Sequence, residues 1–207
     1  HITITPPPWR TGWAYALYMA IGVALGITLY AVGRLKMSSD SYREQSLRDP
    51  LTGIYNRAGL MRIAQALYAN REIQRNVCVM LVDIDHFKRI NDTRGHDTGD
   101  RVINGVAQIL HQSVRVGDHV GRWGGEEFVI LFSGATKQGA ESLAEKIRLA
   151  VADYLFEGEA RPLKVTISIG AALAQADESF ERTLKVADER LYKAKEAGRN
   201  CIVMAHG

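Results

Sequence analysis

Residues 77–92 read VCVMLVDIDHFKRIND. The opening VCVMLV is an apolar, strand-like run that ends in Asp83, with Asp85 two residues on. Alternation along an extended chain sends both carboxylates to one side of the strand end. Such a pair suits Mg²⁺, which takes hard oxygen ligands and keeps waters and substrate phosphates in its shell. Elsewhere, two aspartates at a strand end simply cap a loop. Here Lys88 and Asn91 follow at once. Lys88 offers a point charge for a phosphate, and Asn91 offers a donor and an acceptor for a purine edge.

Working outward, apolar periodicity predicts a helix over 58–75, the strand 77–82, a polar loop carrying 83–92, and a helix over 98–114. Two short strands, 119–123 and 128–132, flank Gly124-Gly125. A helix over 137–155, a strand 164–169, a helix over 179–197 and a strand 201–204 complete the pattern. Helices between strands, with one tight hairpin, imply an α/β sheet with helices on its faces.

Two further clusters carry chemistry. In GHDTGD, Gly95 to Asp100, two glycines give an open loop and Thr98 or Asp100 can begin the next helix. Asp100 can instead accept from the N1 and 2-amino groups of guanine, donors that adenine lacks. In RWGGEEF, Arg122 to Phe128, Gly124-Gly125 reads as a two-residue hairpin turn. A turn without side chains lets a phosphate approach its backbone. Glu126 and Glu127 beside it can complete the metal site that Asp83 begins.

Hydrophobic residues make up 46% of the 207 and charged residues 24%, an ordinary globular balance. The net charge of +3 lies wholly in residues 1–48, and residues 49–207 are neutral overall, so the globular part has no bulk charge with which to hold nucleic acid. Cys78 and Cys201 lack metal-type spacing and read as reduced structural thiols.

Residues 11–33 hold no charge. The run Trp13 to Val32, WAYALYMAIGVALGITLYAV, is 20 residues long; as a helix it spans ~30 Å, the thickness of a bilayer core. Trp9, Trp13 and Tyr15 mark one interface and Tyr30 the other. Arg34, Lys36 and Arg43 follow the span and Arg10 alone precedes it, which puts residue 34 onward in the cytoplasm. Gly22 and Gly26 form a GxxxG spacing suited to close helix approach. Residues 34–48 read as a signalling helix or linker. Residues 1–10 resemble the end of the extracytoplasmic β-sandwich that precedes the span in some bacterial sensor proteins, and a first residue of His1 fits a fragment of a longer chain.

Five motifs in order complete the reading: DPLTGIYNR (Asp49 to Arg57), VDIDHFKRIND, GGEEF (Gly124 to Phe128), SIG (Ser168 to Gly170) and ADERLYKAKEAGRN (Ala187 to Asn200). Over residues 49–203 they resemble the GGDEF family of diguanylate cyclases, with Glu126 replacing the aspartate of the signature. The resemblance implies a palm-like, ferredoxin-type α/β nucleotidyl cyclase domain over 49–207. Its expected activity joins two GTP into cyclic di-GMP with release of two pyrophosphates, on Mg²⁺ or Mn²⁺, in a homodimer at a bacterial inner membrane. It implies metal ligation by Asp83, the carbonyl of Ile84, Glu126 and Glu127, with Glu126 also the acid/base residue near the attacking 3′-hydroxyl. Asn91 and Asp100 would read guanine. Lys88, Lys195, Arg199, the backbone at Phe87 and the Gly124-Gly125 turn would meet phosphates. RVGD, Arg115 to Asp118, begins nine residues before Gly124, the family spacing of a product-inhibition site for cyclic di-GMP; a plain helix-end salt bridge is the other reading. Two alternatives differ in class: a silent domain that only binds nucleotide, and a hybrid cyclase that also takes ATP. The intact acidic pair and glycines oppose the first, and Asp100 opposes the second.

Overall fold

The computed structural model describes residues 15–17, 19, 21–30, 47–74, 76–156 and 162–204. The chain divides into two units, residues 1–45 and 46–207. In the first, the described residues are helical and expose their apolar side chains, Ile21, Leu25 and Leu29 among them. Among the described residues, no helix is long and apolar enough to cross a membrane. The expected span 11–33 reaches beyond them at both ends, and the expected leading segment 1–10 and linker residues 34–46 lie outside them.

The second unit is an α/β domain, as the alternating pattern predicts. Its elements are α1 (Arg57–Ala69), α2 (Arg71–Gln74), β1 (Cys78–Ile84), α3 (Phe87–Arg94), α4 (His96–Ser113), β2 (His119–Gly124), β3 (Glu127–Phe132), α5 (Lys137–Asp153), β4 (Leu155–Phe156), β5 (Leu163–Lys164), β6 (Ile167–Leu173), α6 (Phe180–Glu196) and β7 (Ile202–Met204). The main sheet runs β2-β3-β1-β6-β7, antiparallel throughout except for the β6–β7 pair. β4 and β5 form a separate two-stranded ribbon.

β1 is central, and all seven of its residues are buried, which explains why Cys78 to Val82 is continuously apolar rather than alternating. Met80, Val82 and Ile84 face one core with Phe128, Ile130 and Ile169, under α4 and α5. Val79 and Leu81 face the other with Val129 and Leu131, under α1 and α6. Asp83 continues this second row, so its carboxylate emerges where the α1/α6 core ends.

Three helices begin where a polar side chain satisfies an orphan backbone N–H. Asn56, Thr136 and Ser179 accept from Gly59, Gly139 and Arg182 at the starts of α1, α5 and α6. Three expectations need correction. The helix predicted over 58–75 breaks at Asn70, whose Oδ1 accepts from the N–H of Glu72 (3.0 Å) and so starts a new turn. The polar loop predicted over 83–92 contains α3, whose FKRINDTR sequence buries only Phe87 and Ile90 and so shows almost no apolar stripe. The strand predicted at 164–169 is two elements, β5 and β6, and β6 runs on to Leu173 through Gly170-Ala171-Ala172, residues with little β-propensity.

Gly170 explains its own presence. A Cβ there would lie 2.1 Å from the Ala187 carbonyl oxygen and 2.2 Å from the Leu191 nitrogen. The α6 backbone therefore rests directly on β6, and this close approach sets how near the last turn of α6 comes to the end of β1.

Candidate active site

The end of β1 places Asp83 directly across from Glu127 on β3 and from Ser168 on β6. Between β2 and β3 the two-residue turn is Gly125-Glu126, because Gly124 still pairs with Glu127. The Gly124-Gly125 turn expected from the sequence is thus displaced by one residue. Gly125 sits at φ 49° and Glu126 is not among the positive-φ residues. That is the pattern of a type II′ turn, which needs glycine at its first central position. The shift matters: Glu126 stands at the hairpin tip, and Glu127 is fixed in the sheet beside Asp83.

Lys195, in the last turn of α6, puts its Nζ 2.9 Å from Asp83 Oδ2. Burial pushes the Asp83 carboxyl above the ordinary carboxylate range; Lys195 pulls it back, while Glu126 and Asp85 push it further up. Glu127 is raised too, by burial first and then by Asp83, with Asp188 and Glu126 adding to the repulsion and Lys195 opposing it. A pocket of acids that resist ionising together is one that a cation relieves. Among the described residues, no three His, Cys, Asp or Glu side chains gather closely enough to hold a metal between them. The donors at hand are hard carboxylates at the end of a strand that closes on Ile84. With substrate oxygens to fill the shell, they fit Mg²⁺, which rarely sits in an all-protein cage.

Asp85 does not join this set. Its carboxylate accepts from Thr166 Oγ1 and Ser168 Oγ, each at 2.7 Å, and from the Asn200 N–H at 3.0 Å. The strand has ended at Ile84, and the expected pairing of two outward carboxylates fails there.

His86 takes a left-handed conformation, φ 57°, and gives no side-chain cap to α3. The first-turn N–H groups at Phe87 and Lys88 therefore open a helix N-terminus toward the strand end, a favourable place for anionic oxygen. The Phe87 ring is buried and Lys88 is exposed. One turn later, Asn91 packs its amide on Gly99, where a Cβ would meet Asn91 Oδ1 at 1.9 Å. That oxygen is buried and has no hydrogen-bond partner. Asp100 lies exposed one residue further along α4. Arg199 follows α6 in a left-handed turn at φ 66°.

Arg115 and Asp118 lie in the turn before β2. Arg115 Nε is 3.4 Å from Asp118 Oδ2, Arg115 also donates to the Ser133 carbonyl, and its guanidinium stacks 5.0 Å from the centre of the Phe132 ring. The salt bridge is therefore present, yet the Arg115 side chain remains 60% exposed while Asp118 is 1% exposed. Both line a cavity of about 290 Å³ with Arg48, Tyr55, His111 and His119. Burial lowers the His119 pKa, against the pull of Asp118.

Sequence reasoning missed Arg48, and it missed a chain of contacts behind the hairpin. Arg122 Nε donates to the Gly125 carbonyl at 2.8 Å, and Arg122 Nη1 lies 3.3 Å from both oxygens of Asp49. Asp49 in turn accepts from the N–H and Oγ1 of Thr52. The signal was the DPLTG motif itself, whose aspartate and threonine suit a local turn.

Residues 46–201 match the family model described as the diguanylate cyclase GGDEF domain. The chain belongs to the GGDEF family. Its GGDEF domain is 38% identical over 167 residues to the diguanylate cyclase DgcP of Pseudomonas aeruginosa, covering 80% of this chain and 25% of that protein. It is 42% identical over 160 residues to the probable diguanylate cyclase DgcT of Escherichia coli, covering 76% of this chain and 35% of the other. The chain thus spans about a quarter to a third of the curated relatives it matches. Among solved structures, the coiled coil and GGDEF domain of DgcB from Caulobacter crescentus in complex with c-di-GMP superposes with a TM-score of 0.81 at 29% identity, over 90% of this chain and 100% of that one. The active GGEEF domain of a diguanylate cyclase from Vibrio cholerae gives a TM-score of 0.66 at 33% identity, over 73% of this chain and 98% of that one.

Proposed function

We propose that this GGDEF domain is a diguanylate cyclase that condenses two GTP into cyclic di-GMP. The observation that carries the reading is the register at the strand end: Asp83 stands opposite Glu127, with Glu126 at the tip of the glycine turn and the Lys195 ammonium 2.9 Å from Asp83.

Each domain binds one GTP. The Asn91 amide meets the guanine edge, and Asp100 takes the N1 and 2-amino protons. The open start of α3, Lys88, Lys195 and Arg199 hold the phosphates. Asp83, the Ile84 carbonyl, Glu126 and Glu127 would hold Mg²⁺ or Mn²⁺, which when bound neutralises phosphate charge and acidifies the nucleophile. Glu126 takes the proton of the 3′-hydroxyl as that oxygen forms a bond to the α-phosphorus of the other GTP. The bond from that phosphorus to the bridging oxygen breaks, and pyrophosphate leaves. The same transfer in the opposite sense closes the ring, so two domains must meet face to face as a homodimer.

Two regulatory elements belong to this reading. The cavity at Arg48, Arg115 and Asp118 takes cyclic di-GMP and restrains further synthesis. The charge-free run 11–33 anchors the chain once in a bacterial inner membrane, with the basic residues after it in the cytoplasm. The deciding experiment incubates the purified chain with GTP and Mg²⁺ and follows product by chromatography. Cyclic di-GMP with two equivalents of pyrophosphate is expected, and bound but unconverted GTP would sink the proposal. A reporter fused after Gly207 should show a cytoplasmic signal.

A further inference from the structure

Asp85 is 4% exposed, and both of its oxygens are engaged. Oδ1 accepts from Ser168 Oγ, and Oδ2 accepts from Thr166 Oγ1 and from the Asn200 N–H. All three donors are neutral, and they come from β6, from the residue just before it and from the turn between α6 and β7. We infer that Asp85 is a positioning residue, which holds that turn so that Arg199 faces the substrate phosphates. The inference rests on the cyclase reading, which assigns Arg199 to those phosphates.

The turn is a poor conformation for the residues in it. Arg199 at φ 66° and Asn200 at φ 46° both lie in the left-handed region, where a side chain is unfavourable. Two such residues in succession persist only when the surroundings over-determine them. Three contacts do so. The Arg199 N–H donates to the Ala194 carbonyl at 3.1 Å. Arg148 Nη1 donates to Asn200 Oδ1 at 2.8 Å, and that guanidinium is gripped by Glu145 on α5 at 2.9 and 2.6 Å. The third is the Asn200 N–H on Asp85, which ties the turn to the loop that follows Asp83. It registers the phosphate-binding arginine against the catalytic strand end. A carboxylate already accepting three hydrogen bonds is also a poor metal ligand, which separates its role from that of Asp83.

The test uses the full chain as wild type, Asp85→Ala, Arg199→Ala and the double variant. Each is titrated with 3′-deoxy-GTP and Mg²⁺, a probe that lacks the attacking hydroxyl, and with guanosine as competitor. Asp85→Ala should weaken 3′-deoxy-GTP about tenfold, leave guanosine unchanged, and add less than about twofold in the Arg199→Ala background. Equal weakening of guanosine would make Asp85 a general structural residue and overturn the inference. So would a full tenfold effect in the Arg199→Ala background, or a loss that rising Mg²⁺ abolishes. If Asp85→Ala does not fold, Asp85→Asn keeps one acceptor oxygen and should show the same pattern at about threefold; its absence overturns the inference equally. Wild-type protein that binds no 3′-deoxy-GTP would overturn the cyclase reading and this inference together. Wild-type binding with unaltered variants would overturn this inference alone.

Discussion

Asp83 is a carboxylate that the fold buries and only half satisfies. The raised pKa means that the ionised form is disfavoured on balance in spite of Lys195. Asp83→Asn should therefore leave the melting temperature of the metal-free domain unchanged or higher, while turnover falls by at least about a hundredfold. Thermal melts and product formation on one sample check both halves, and a destabilised but active variant would contradict the assignment. The sign of the pH dependence follows. A carboxyl whose folded pKa lies above its unfolded value adds stability at low pH and loses it as pH rises through the folded pKa. Asp83 and Glu127 both act this way in the metal-free state. Mg²⁺ should accordingly raise the melting temperature more at about pH 8 than at about pH 5.5, because protons compete for the same oxygens. Arg115 gives a cleaner separation of roles. Arg115→Ala should weaken cyclic di-GMP by about ten- to a hundredfold, equivalent to ~1.5–3 kcal/mol, with the initial rate retained; calorimetry with initial rates measures both. Lost thermal stability with unchanged product affinity would leave only the salt bridge. The nearness of Glu127 to Asp83 was legible in the sequence, because a tight glycine turn returns the chain to the strand end. Asp85 was not: period-two alternation ceases to predict direction once the strand has ended.

Elements were legible where burial is one-sided or complete. β1, β2, β3 and α6 carry strong apolar patterns, and the structure has them close to where the sequence puts them. α3 was hidden because eight residues with two buried side chains give no stripe. The second half of β6 was hidden because its small residues serve helix packing. That packing is testable. Gly170→Ala drives a methyl into the α6 backbone at Ala187 and Leu191. It should destabilise the domain by about 1–3 kcal/mol, lowering the melting temperature by about 2–4 °C per kcal/mol. Moving α6 outward also withdraws Lys195 from Asp83, so turnover should fall further than stability alone accounts for. Denaturant melts with parallel rate measurements distinguish the two losses. The hairpin depends on support of another kind: its Gly125 carbonyl is held by Arg122, and Arg122 by Asp49. That link spans 73 residues of sequence, which no local pattern encodes.

For the molecule as a whole, the cyclase reading proposed above places the binding and reacting residues in the second unit and requires a partner domain from another copy. The membrane anchor proposed above would raise the effective concentration of such copies. Removing residues 1–33 should leave a domain that cyclises GTP slowly and speeds up with protein concentration, which a rate series over dilution would reveal. β2 is an outer strand of the main sheet, and its open side is not left bare. Tyr55 bridges in parallel to Gly121, its N–H donates to the Val120 carbonyl and its carbonyl accepts from the Arg122 N–H at 2.7 Å. Arg48 bridges to Tyr55 in turn, and the Asn56 N–H donates to the Leu47 carbonyl. Leu47 to Asn56 thus works as a selvedge for the sheet. A chain trimmed to begin at residue 47 should stay monodisperse in light scattering, whereas one beginning at residue 58 would present a naked strand to its neighbours and grow into sheet-extended aggregates.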